Sequence, residues 1–375
     1  MDITNIECRW LKIPLAGEYS ISSATSQSIN TFLVIIETAD GERGIGTADT
    51  TGVHPVPQTP AQIFESLVDE LLPNLMNRQP ATPTQLYQFI SQYPGYVNAT
   101  SALEMAFLDL HCRSTDQTIA EHFGGALHTP EPLNAWVGVD SPEAMASEAE
   151  SWLERGFTGL KIKVTGDPEP DIARIRAVCE RVGNAMDVRV DANEGYTSVE
   201  DALRVAREME SLPIVHFEQP IHRDDVSGLK RLTHSTSVTV MADEPVTTVR
   251  DAAYLVWEGA ADRLKFKVLK QGGLQAVHRA LHLAEAADMQ CVVGHGFCSS
   301  PAMSAELQLT STHESVLRPV ESVGVLKFSE EPFAPQVTVT DGAAQIPSGS
   351  GHGVRISDYE LLDSYTTDAR EITGE

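Results

Sequence analysis

The stretch of residues 161–321 decides the fold, and seven short segments in it carry an ionisable side chain: KIKV (161–164), RVDAN (189–193), FEQP (217–220), MADEP (241–245), KFKVLK (265–270), GHGF (294–297) and VES (320–322). One such side chain per segment recurs at intervals of 24 to 28 residues: Lys163, Asp191, Glu218, Asp243, Lys267, His295 and Glu321. A repeat of roughly 20–50 residues is typical of one supersecondary unit repeated along the chain. A strand, a loop and a helix occupy about this length, so the spacing predicts one functional side chain in each β-α unit.

Apolar runs in and around this stretch predict eight strands, at residues 133–139, 160–164, 187–191, 214–218, 238–243, 263–268, 290–295 and 317–321. Helical patterns lie between most of these runs. Eight parallel strands alternating with helices define a (β/α)8 TIM barrel, whose active site lies at the C-terminal ends of the strands. The predicted fold class is therefore α/β, a barrel of this type with the ionisable side chains at its strand ends.

The segments outside the barrel predict a smaller α+β domain. Residues 1–50 favour strands with an Asp40-Gly41 hairpin turn, helical patterns follow up to residue 113, and short β-runs return after residue 333. The predicted division is an N-terminal α+β capping domain at 1–127, the barrel at 128–333 and a C-terminal segment at 334–375 that returns to the capping domain. Two polar loops interrupt the N-terminal part, 16–28 with Tyr19 and 50–59 with His54.

Composition excludes several classes of protein. The chain is 42% hydrophobic and 21% charged, which is typical of a globular protein. Its net charge of −26 argues against a nucleic-acid partner, because phosphate binding needs clustered Lys and Arg. No run approaches the ~18 apolar residues of a membrane span, and no secretory signal is visible, so no membrane partner is predicted. Five scattered cysteines without a Cys-x-x-Cys spacing favour reduced thiols and a cytoplasmic location.

Three carboxylates end neighbouring predicted strands: Asp191 the third, Glu218 the fourth and Asp243 the fifth. Taken singly, such an acid is more often a helix cap or a loop residue. Taken together they repel one another unless a cation lies among them, and oxygen ligands select a hard ion. We therefore predict a site for Mg²⁺, with Mn²⁺ as the second choice. Glu244 and Asn193 are predicted either to hydrogen-bond these ligands or to replace one of them.

Half of the eight lysines form two Lys-x-Lys pairs, Lys161 with Lys163 and Lys265 with Lys267, on predicted strands two and six. Residues two apart on a strand point to the same face. Two ammonium groups at such a short distance repel each other, which lowers the pKa of one of them. That lysine can then be a neutral amine and act as a base near neutral pH. In a single Lys-x-Lys motif, the two lysines more often face solvent or form ion pairs with acids. Strands two and six are opposite in a ring of eight, however, so an amine is predicted on each side of a ligand bound over the acids.

These parts define a reaction on a small-molecule carboxylate. The metal binds the carboxylate, a neutral lysine removes the α-proton, and metal and nearby donors stabilise the enediolate. The opposite lysine then returns a proton, which racemises or epimerises the substrate, or it stabilises the intermediate while a ring closes, as in a cycloisomerase. The alternative is a lyase that dehydrates a hydroxy or sugar acid. A non-catalytic binding protein on the same scaffold is a third hypothesis.

The motifs resemble those of the enolase superfamily, specifically the mandelate racemase and muconate lactonizing enzyme family and its muconate-lactonizing-like subgroup. The resemblance rests on GLKIKV (159–164), VDAN (190–193), FEQP (217–220), MADEP (241–245), KVLKQGG (267–273) and ALEMAFLDL (102–110). It implies a capping domain built from both termini, whose loops at Tyr19 and His54 close over the barrel and set specificity. It also implies a homo-oligomer, either a dimer or an octamer. The residue roles that it implies are Mg²⁺ ligation by Asp191, Glu218 and Asp243, acid/base catalysis by Lys163 and Lys267, and tuning of Lys163 by Lys161.

The last two predicted strands depart from these relatives. Muconate-lactonizing-like members usually carry a Glu where this chain has a segment with His295 and Cys298. His295 resembles the strand-seven histidine of mandelate-racemase-like members and is predicted either as a donor to substrate or as a loop residue. Cys298 is a substrate-binding candidate by position, although a structural thiol is the favoured interpretation. Glu321 matches the strand-eight acid that contacts substrate, and Tyr19 completes the substrate-binding candidates. The Asp-x-Asp that dipeptide epimerases carry after strand eight is missing, which argues against a dipeptide substrate.

Two further histidines, His278 and His282, stand four residues apart on a predicted helix. The sequence offers no further ligand beside them, so a helix surface is the favoured interpretation.

Overall fold

The computed structural model describes residues 2–21, 24–50, 58–129, 131–294 and 296–374. Its strands are β1 Ile3–Ile21, β2 Ala24–Thr38, β3 Arg43–Thr50, β4 Glu131–Pro132, β5 Asn134–Val137, β6 Gly159–Lys163, β7 Asp187–Asp191, β8 Ile214–Glu218, β9 Val240–Ala242, β10 Arg263–Phe266, β11 Cys291–Val293, β12 Phe333–Ala334, β13 Thr338–Thr340, β14 Ala343–Gln345, β15 Arg355–Ile356 and β16 Thr366–Thr373.

Its helices are α1 Pro60–Glu65, α2 Leu72–Arg78, α3 Pro83–Ile90, α4 Val97–Ser114, α5 Ile119–His122, α6 Pro142–Glu154, α7 Pro168–Val182, α8 Val199–Met209, α9 Val226–Thr233, α10 Val249–Glu258, α11 Val268–Gln271, α12 Leu274–Ala286, α13 Ser300–Thr310 and α14 Tyr359–Tyr365. A π-helical turn, Ser66–Leu71, joins α1 to α2. None of the helices in the described ranges is long and apolar enough to cross a membrane.

The N-terminal strands and the last strand of the chain form one antiparallel sheet in the order β16-β1-β2-β3. The C-terminal strand joins this sheet along β1, where Cys8 stands opposite Arg370. Helix α4 covers the sheet and lies so close to β3 that a Cβ on Gly46 would stand 2.3 Å from the Ala102 carbonyl oxygen. The predicted capping domain built from both termini is therefore confirmed, whereas its exact boundaries stay a prediction.

One of the two predicted polar loops is part of this sheet. Strand β1 continues to Ile21 and β2 already begins at Ala24, with Tyr19 opposite Ser26. The prediction of a loop over 16–28 is therefore wrong. Antiparallel pairing of residues 19–21 with residues 24–26 outweighs the weak strand preference of these polar residues. The second predicted loop, with His54, falls largely on residues outside the described ranges.

The barrel sheet is parallel, with β5 to β11 as sequential neighbours. Helices α6 to α13 return the chain between strands. Side-chain hydroxyls or carboxylates cap several of these helices, for example Ser198 on α8 and Thr248 on α10. The apolar residues between sheet and helices form one large buried cluster, separate from the core of the cap. The predicted barrel is confirmed.

The eighth predicted strand, 317–321, differs from the expectation. No regular strand is assigned there within the described residues, but parallel bridges join Val316 to Cys291 and Val320 to Leu133. The Leu317 amide donates to the Cys291 carbonyl at 2.7 Å, and the Val320 amide donates to the Pro132 carbonyl at 2.8 Å. This segment thus closes the barrel between its first and last strands. Pro319 has no amide proton, which explains why the ladder is interrupted.

Candidate active site

Strand register brings the predicted ligands and bases to one edge of the barrel. Lys163 on β6 stands beside Asp191 on β7, and Asp191 stands beside Glu218 on β8. Asp243 follows β9 and Lys267 follows β10. All three carboxylates are buried. The geometry therefore gathers side chains that are far apart in the sequence, with one lysine on either side of three acids.

The lysines at the two ends of the row of acids, Lys163 and Lys267, each contact the acid next to them. Lys163 Nζ donates to Asp191 Oδ2 and to Asn193 Oδ1, each at 2.6 Å. Lys267 Nζ donates to Asp243 Oδ2. Burial lowers the pKa of Lys267, but Asp243 and Glu244 outweigh it and raise the pKa above its ordinary value. Each predicted base is therefore hydrogen-bonded to a predicted metal ligand, and the two bases lie at opposite ends of the row of acids.

The two Lys-x-Lys pairs have the same internal arrangement. Side-chain exposure is 14% for Lys161 against 31% for Lys163, and 1% for Lys265 against 26% for Lys267. In each pair the first lysine is deeper in the barrel and the second reaches the open edge. Depth therefore separates the two lysines of each pair, and of these four lysines Lys163 and Lys267 are the ones nearer to the open edge.

Lys161 is ion-paired rather than neutralised by the neighbouring Lys163. Lys161 Nζ lies 2.6 Å from Glu321 Oε2 and 2.9 Å from Glu218 Oε2. Burial lowers the pKa of Lys161, but Glu218, Glu321 and Asp191 raise it well above its ordinary value. The expectation that two close ammonium groups leave one lysine of the pair neutral does not account for Lys161. It stays a cation because three acids surround it.

Two buried carboxylate oxygens lack a hydrogen-bond partner among the described residues, Glu218 Oε1 and Glu244 Oε2. Burial, followed by the nearby charge of Asp191, raises the pKa of Glu218 to about 8. Burial and Asp243 raise the pKa of Glu244 to about 7. Buried anionic oxygens without donors are costly unless a cation binds them. An oxygen-only donor set of this kind fits Mg²⁺.

Asn193 and Glu244 are linked to each other and to the acids. Asn193 Nδ2 donates to Glu244 Oε1 at 3.1 Å, and the Asn193 amide donates to Asp191 Oδ1 at 3.0 Å. Asn193 has a left-handed backbone with a φ of 42°, and so has Gln219 with a φ of 33°. The Gln219 side chain accepts the amide proton of Asp243 at 3.0 Å. Two residues with positive φ just after β7 and β8 therefore hold the Asp191 carboxylate and the Asp243 backbone in place.

Glu321 is saturated by cations inside the barrel. Its carboxylate accepts from Arg189 Nη1 at 3.0 Å and also contacts Lys161 and Lys265. Only 5% of the residue is exposed. This environment favours a role in holding Lys161 and Lys265, rather than the contact with substrate that the sequence predicted.

The sequence reasoning missed Arg189, although a signal for it was available. Arg189 stands two residues before Asp191 on β7, so its side chain points to the same inner face. It is fully buried and is the partner of Glu321. A cation in the middle of an apolar strand needs a buried anion. This requirement could have linked Arg189 to one of the strand-end acids.

Lys327 is the second residue that the sequence reasoning missed. It is one of only eight lysines, and it lies outside the two Lys-x-Lys pairs. Its ammonium lies 4.3 Å from the ring centroid of Trp136 and 4.2 Å from that of Phe297. Burial, together with the charge of Lys163, lowers the pKa of Lys327 to about 7. A buried amine between two aromatic rings and near a predicted catalytic base is placed to meet an anionic group.

The remaining predicted substrate-binding residues are Cys298, His295 and Tyr19, and only the side chain of Cys298 lies within the described part of the chain. Cys298 is 1% exposed and packs in the barrel core, and burial raises the pKa of its thiol well above the ordinary value. Its surroundings favour the structural interpretation and do not favour contact with substrate. His295 lies outside the described residues, and so does the side chain of Tyr19.

Comparison with known proteins agrees with the fold and the site. Residues 5–124 match the model of the mandelate racemase / muconate lactonizing enzyme N-terminal domain, and residues 144–360 match the enolase C-terminal domain-like model. A barrel closed by a cap, with acids and lysines at the strand ends, therefore defines a member of the enolase superfamily. Within it, the chain belongs to the mandelate racemase/muconate lactonizing enzyme family.

Several similar proteins are isomerases by name. An L-Ala-D/L-Glu epimerase of Bacillus subtilis is 31% identical, covering 94% of this chain and 97% of its own. An N-succinyl-L-Arg/Lys racemase of Bacillus cereus is 29% identical, with 88% and 89% covered. The crystal structure of N-succinyl Arg/Lys racemase from Bacillus cereus superposes with a TM-score of 0.91 at 26% identity, over 99% of this chain and 100% of that one. A chloromuconate cycloisomerase of Cupriavidus pinatubonensis is 26% identical, with 96% and 98% covered. The protein is an isomerase of the mandelate racemase/muconate lactonizing type, and these similarities do not favour the lyase alternative.

Proposed function

We propose that the protein is a Mg²⁺-dependent racemase of N-acylated α-amino acids whose acyl group carries a negative charge. The observation that carries this proposal is the row of Asp191, Glu218 and Asp243 with Lys163 at one end and Lys267 at the other. A racemase needs a proton acceptor on one face of the α-carbon and a proton donor on the other. Two lysines reaching the open edge from strands on either side of the acids meet this requirement.

The acids would hold the metal, with Glu244 and Asn193 supporting them. A bound Mg²⁺ would supply positive charge to the substrate carboxylate, which makes the α-proton more acidic. Lys163 or Lys267, in its neutral form, takes the α-proton on its own face, and the other lysine, as an ammonium, gives a proton to the opposite face. Exchanging these two protonation states runs the reaction in the other direction. Lys161 stays charged throughout, because Glu218, Glu321 and Asp191 surround it.

Charge at the barrel mouth supports the choice of substrate. A dipeptide carries a free ammonium group, which needs an anionic partner. The acid after the last strand, Glu321, is already bound by Arg189, Lys161 and Lys265. Lys327 adds a cation between Trp136 and Phe297. A succinyl-like group, with its terminal carboxylate, matches this environment better than an ammonium group does. The name of the Bacillus cereus relative points to the same class of substrate.

A second candidate is cycloisomerisation of a dicarboxylate. A substrate with two carboxylates could bind the predicted metal with one of them and Lys327 with the other. Chloromuconate cycloisomerases are among the similar proteins. This reaction needs only one lysine as an acid or a base. Racemisation is favoured because the two lysines are similarly exposed, 31% for Lys163 and 26% for Lys267, and each is paired with one of the predicted metal ligands.

Substrate panels test the proposal. The protein, stripped with a chelator and restored with Mg²⁺, is incubated with single enantiomers of N-succinyl amino acids, with dipeptides and with muconate, and products are followed by polarimetry and chiral chromatography. We expect racemisation of N-succinyl amino acids that is lost with the chelator and returns with Mg²⁺, and slow turnover of dipeptides. Faster epimerisation of dipeptides would overturn the substrate class, and turnover of muconate alone would favour the cycloisomerase.

A further inference from the structure

A cluster of three histidines lies on the outer helix layer, away from the carboxylates of the barrel mouth. His278 and His282 stand on α12, and His313 follows α13. The sequence suggested no third ligand for the helical pair, because His313 is far from it along the chain. The fold brings His313 into contact with both. The ring centroids are 4.4 Å apart for His278 and His282, 5.1 Å for His278 and His313, and 5.0 Å for His282 and His313.

One carboxylate orients two of these rings. Glu285, also on α12, accepts from Nδ1 of His313 at 2.7 Å and from Nδ1 of His282 at 3.0 Å. A carboxylate only accepts hydrogen bonds, so at these distances both Nδ1 atoms carry protons. In the neutral rings, both Nε2 atoms therefore present lone pairs.

Those two lone pairs face the third ring. His313 Nε2 lies 2.9 Å from His278 Nδ1, and His282 Nε2 lies 3.2 Å from His278 Nε2. A neutral His278 has a single N–H, so it can donate to only one of the two neighbours. At the other contact, two nitrogen lone pairs point at each other. The three neutral rings thus leave one contact that only an added cation can satisfy.

A second proton on His278 is the simplest such cation, because it gives that ring an N–H toward each neighbour. A metal ion meets the same need without placing a proton on His278, since it accepts lone pairs from all three rings. One nitrogen of each ring lies within 4.8 Å of the others. Ligands of tetrahedral Zn²⁺, at about 2.0–2.1 Å from the ion, lie ~3.3–3.4 Å apart, so small side-chain movements would suffice.

We propose that His278, His282 and His313 form a site for Zn²⁺ or a similar borderline transition-metal ion, with Glu285 as the carboxylate that orients two of its ligands. Imidazole ligands select such ions over Mg²⁺. A carboxylate bound to the far nitrogen of a ligating histidine is the usual support of zinc sites. His282 is largely exposed, which leaves room for water as a fourth ligand.

The location indicates a structural or regulatory role rather than a catalytic one. Helix α12 leads from the C-terminal edge of β10 back to the start of β11, and Glu285 also lies 3.4 Å from Ser315 Oγ, just before the segment that closes the barrel. Residues at this N-terminal end of a TIM-type barrel serve stability rather than catalysis. A bound ion would fasten α12 to the chain just before the closing segment.

Zinc binding to the full chain tests this site. Metal-free protein is saturated with Mg²⁺ to occupy the carboxylates, and Zn²⁺ affinity is measured by competition with a chromogenic chelator for wild type, His282→Asn, Glu285→Gln and the control His234→Asn, an exposed histidine outside the cluster. We expect one Zn²⁺ per chain in wild type and control, no tight binding in His282→Asn, and affinity ~10–100-fold weaker in Glu285→Gln.

Melting temperatures provide a second measurement on the same proteins. Zn²⁺ should raise the melting temperature of wild type and of His234→Asn but leave that of His282→Asn unchanged. Because His282 is exposed, this variant should fold, and its melting temperature without metal checks that it does. Equal zinc affinity in wild type and His282→Asn, or no binding by wild type, would overturn the proposal.

Discussion

At the scale of single residues, depth in the barrel decides what a lysine can do. The two lysines of each Lys-x-Lys pair are two residues apart and share a face of the strand. The deeper ones, Lys161 and Lys265, both contact Glu321. The outer two meet Asp191 and Asp243 at the open edge. The spacing along each strand predicted which side chains share a face. It could not predict how far each one stands from solvent, because that depends on how the barrel is closed.

Lys327 provides the residue-scale test of substrate choice. Lys327→Met keeps an unbranched apolar side chain, one atom shorter, but removes the charge between Trp136 and Phe297. If the ammonium binds an anionic acyl group, kcat/KM for an N-succinyl amino acid should fall by about 10–100-fold, mainly through KM, as expected for one lost charge-assisted hydrogen bond.

The matched control for this variant is Lys12→Met, which removes an exposed lysine of the cap. It should leave kcat/KM unchanged. An unaltered kcat/KM in Lys327→Met, with an unaltered melting temperature, would remove Lys327 from the substrate site.

At the scale of elements, the repeat of β-α units was predictable, and the connections that depend on distant partners were not. Seven of the predicted barrel strands are present in register, because buried parallel strands carry a strong apolar pattern. The eighth is reduced to isolated bridges by Pro319. The ends of β1 and β2 that fall within residues 16–28 were predicted as a loop, since the local sequence there is polar and the strands depend on pairing with each other. The histidine cluster likewise depends on a contact between α12 and the residue after α13, which no local pattern indicates.

The contact of α4 with β3 gives a prediction at this scale. A Cβ on Gly46 would stand 2.3 Å from both the Ala102 carbonyl oxygen and the Ala106 nitrogen, so the helix and the strand would have to separate. Gly46→Ala should lower the free energy of unfolding by roughly 1–3 kcal/mol, the usual cost of overpacking. Urea denaturation followed by circular dichroism measures it.

Gly95→Ala is the control for this comparison, because a Cβ there has no atom within 4 Å. Its unfolding curve should match that of wild type. An equally stable Gly46→Ala would mean that the close approach of α4 to β3 is not required.

At the scale of the whole molecule, a buried acid lies where the cap meets the barrel. Glu104 on α4 is fully buried and accepts from the Gln275 amide at the start of α12 at 3.2 Å. A Cβ on Gly273 would stand 2.1 Å from Glu104 Oε2, so a glycine is needed at this junction. Gln275 in turn donates to the Pro83 carbonyl of the cap at 2.9 Å. These contacts join the two parts of the molecule through a carboxyl group that has little access to water.

Stability should therefore depend on pH through Glu104. Burial raises the pKa of Glu104 from 4.5 to about 8. The folded state then binds more protons than the unfolded state between these values, so stability falls as pH rises across them. Glu104→Gln cannot titrate. Its free energy of unfolding should fall less than that of wild type between pH 5 and pH 8, by on the order of 1 kcal/mol for each unit of the pKa shift.

Parallel stability profiles of wild type and Glu104→Gln would show that the carboxyl stays ionised when folded. Urea denaturation at a series of pH values gives both profiles under identical conditions. Taking their difference removes the contributions of all other titrating groups, which the two proteins share.

The central claim is that Lys163 and Lys267 act on opposite faces of one α-carbon. Proton NMR in D₂O of a single enantiomer of an N-succinyl amino acid, recorded early in the reaction, tests it most directly. The account predicts deuterium at the α-carbon of the inverted product and protium in the remaining substrate, no keto product, and no inversion by Lys163→Ala or Lys267→Ala while Mg²⁺ still binds. Inversion that persists in both variants, or an α-carbon that never exchanges with solvent, would contradict it.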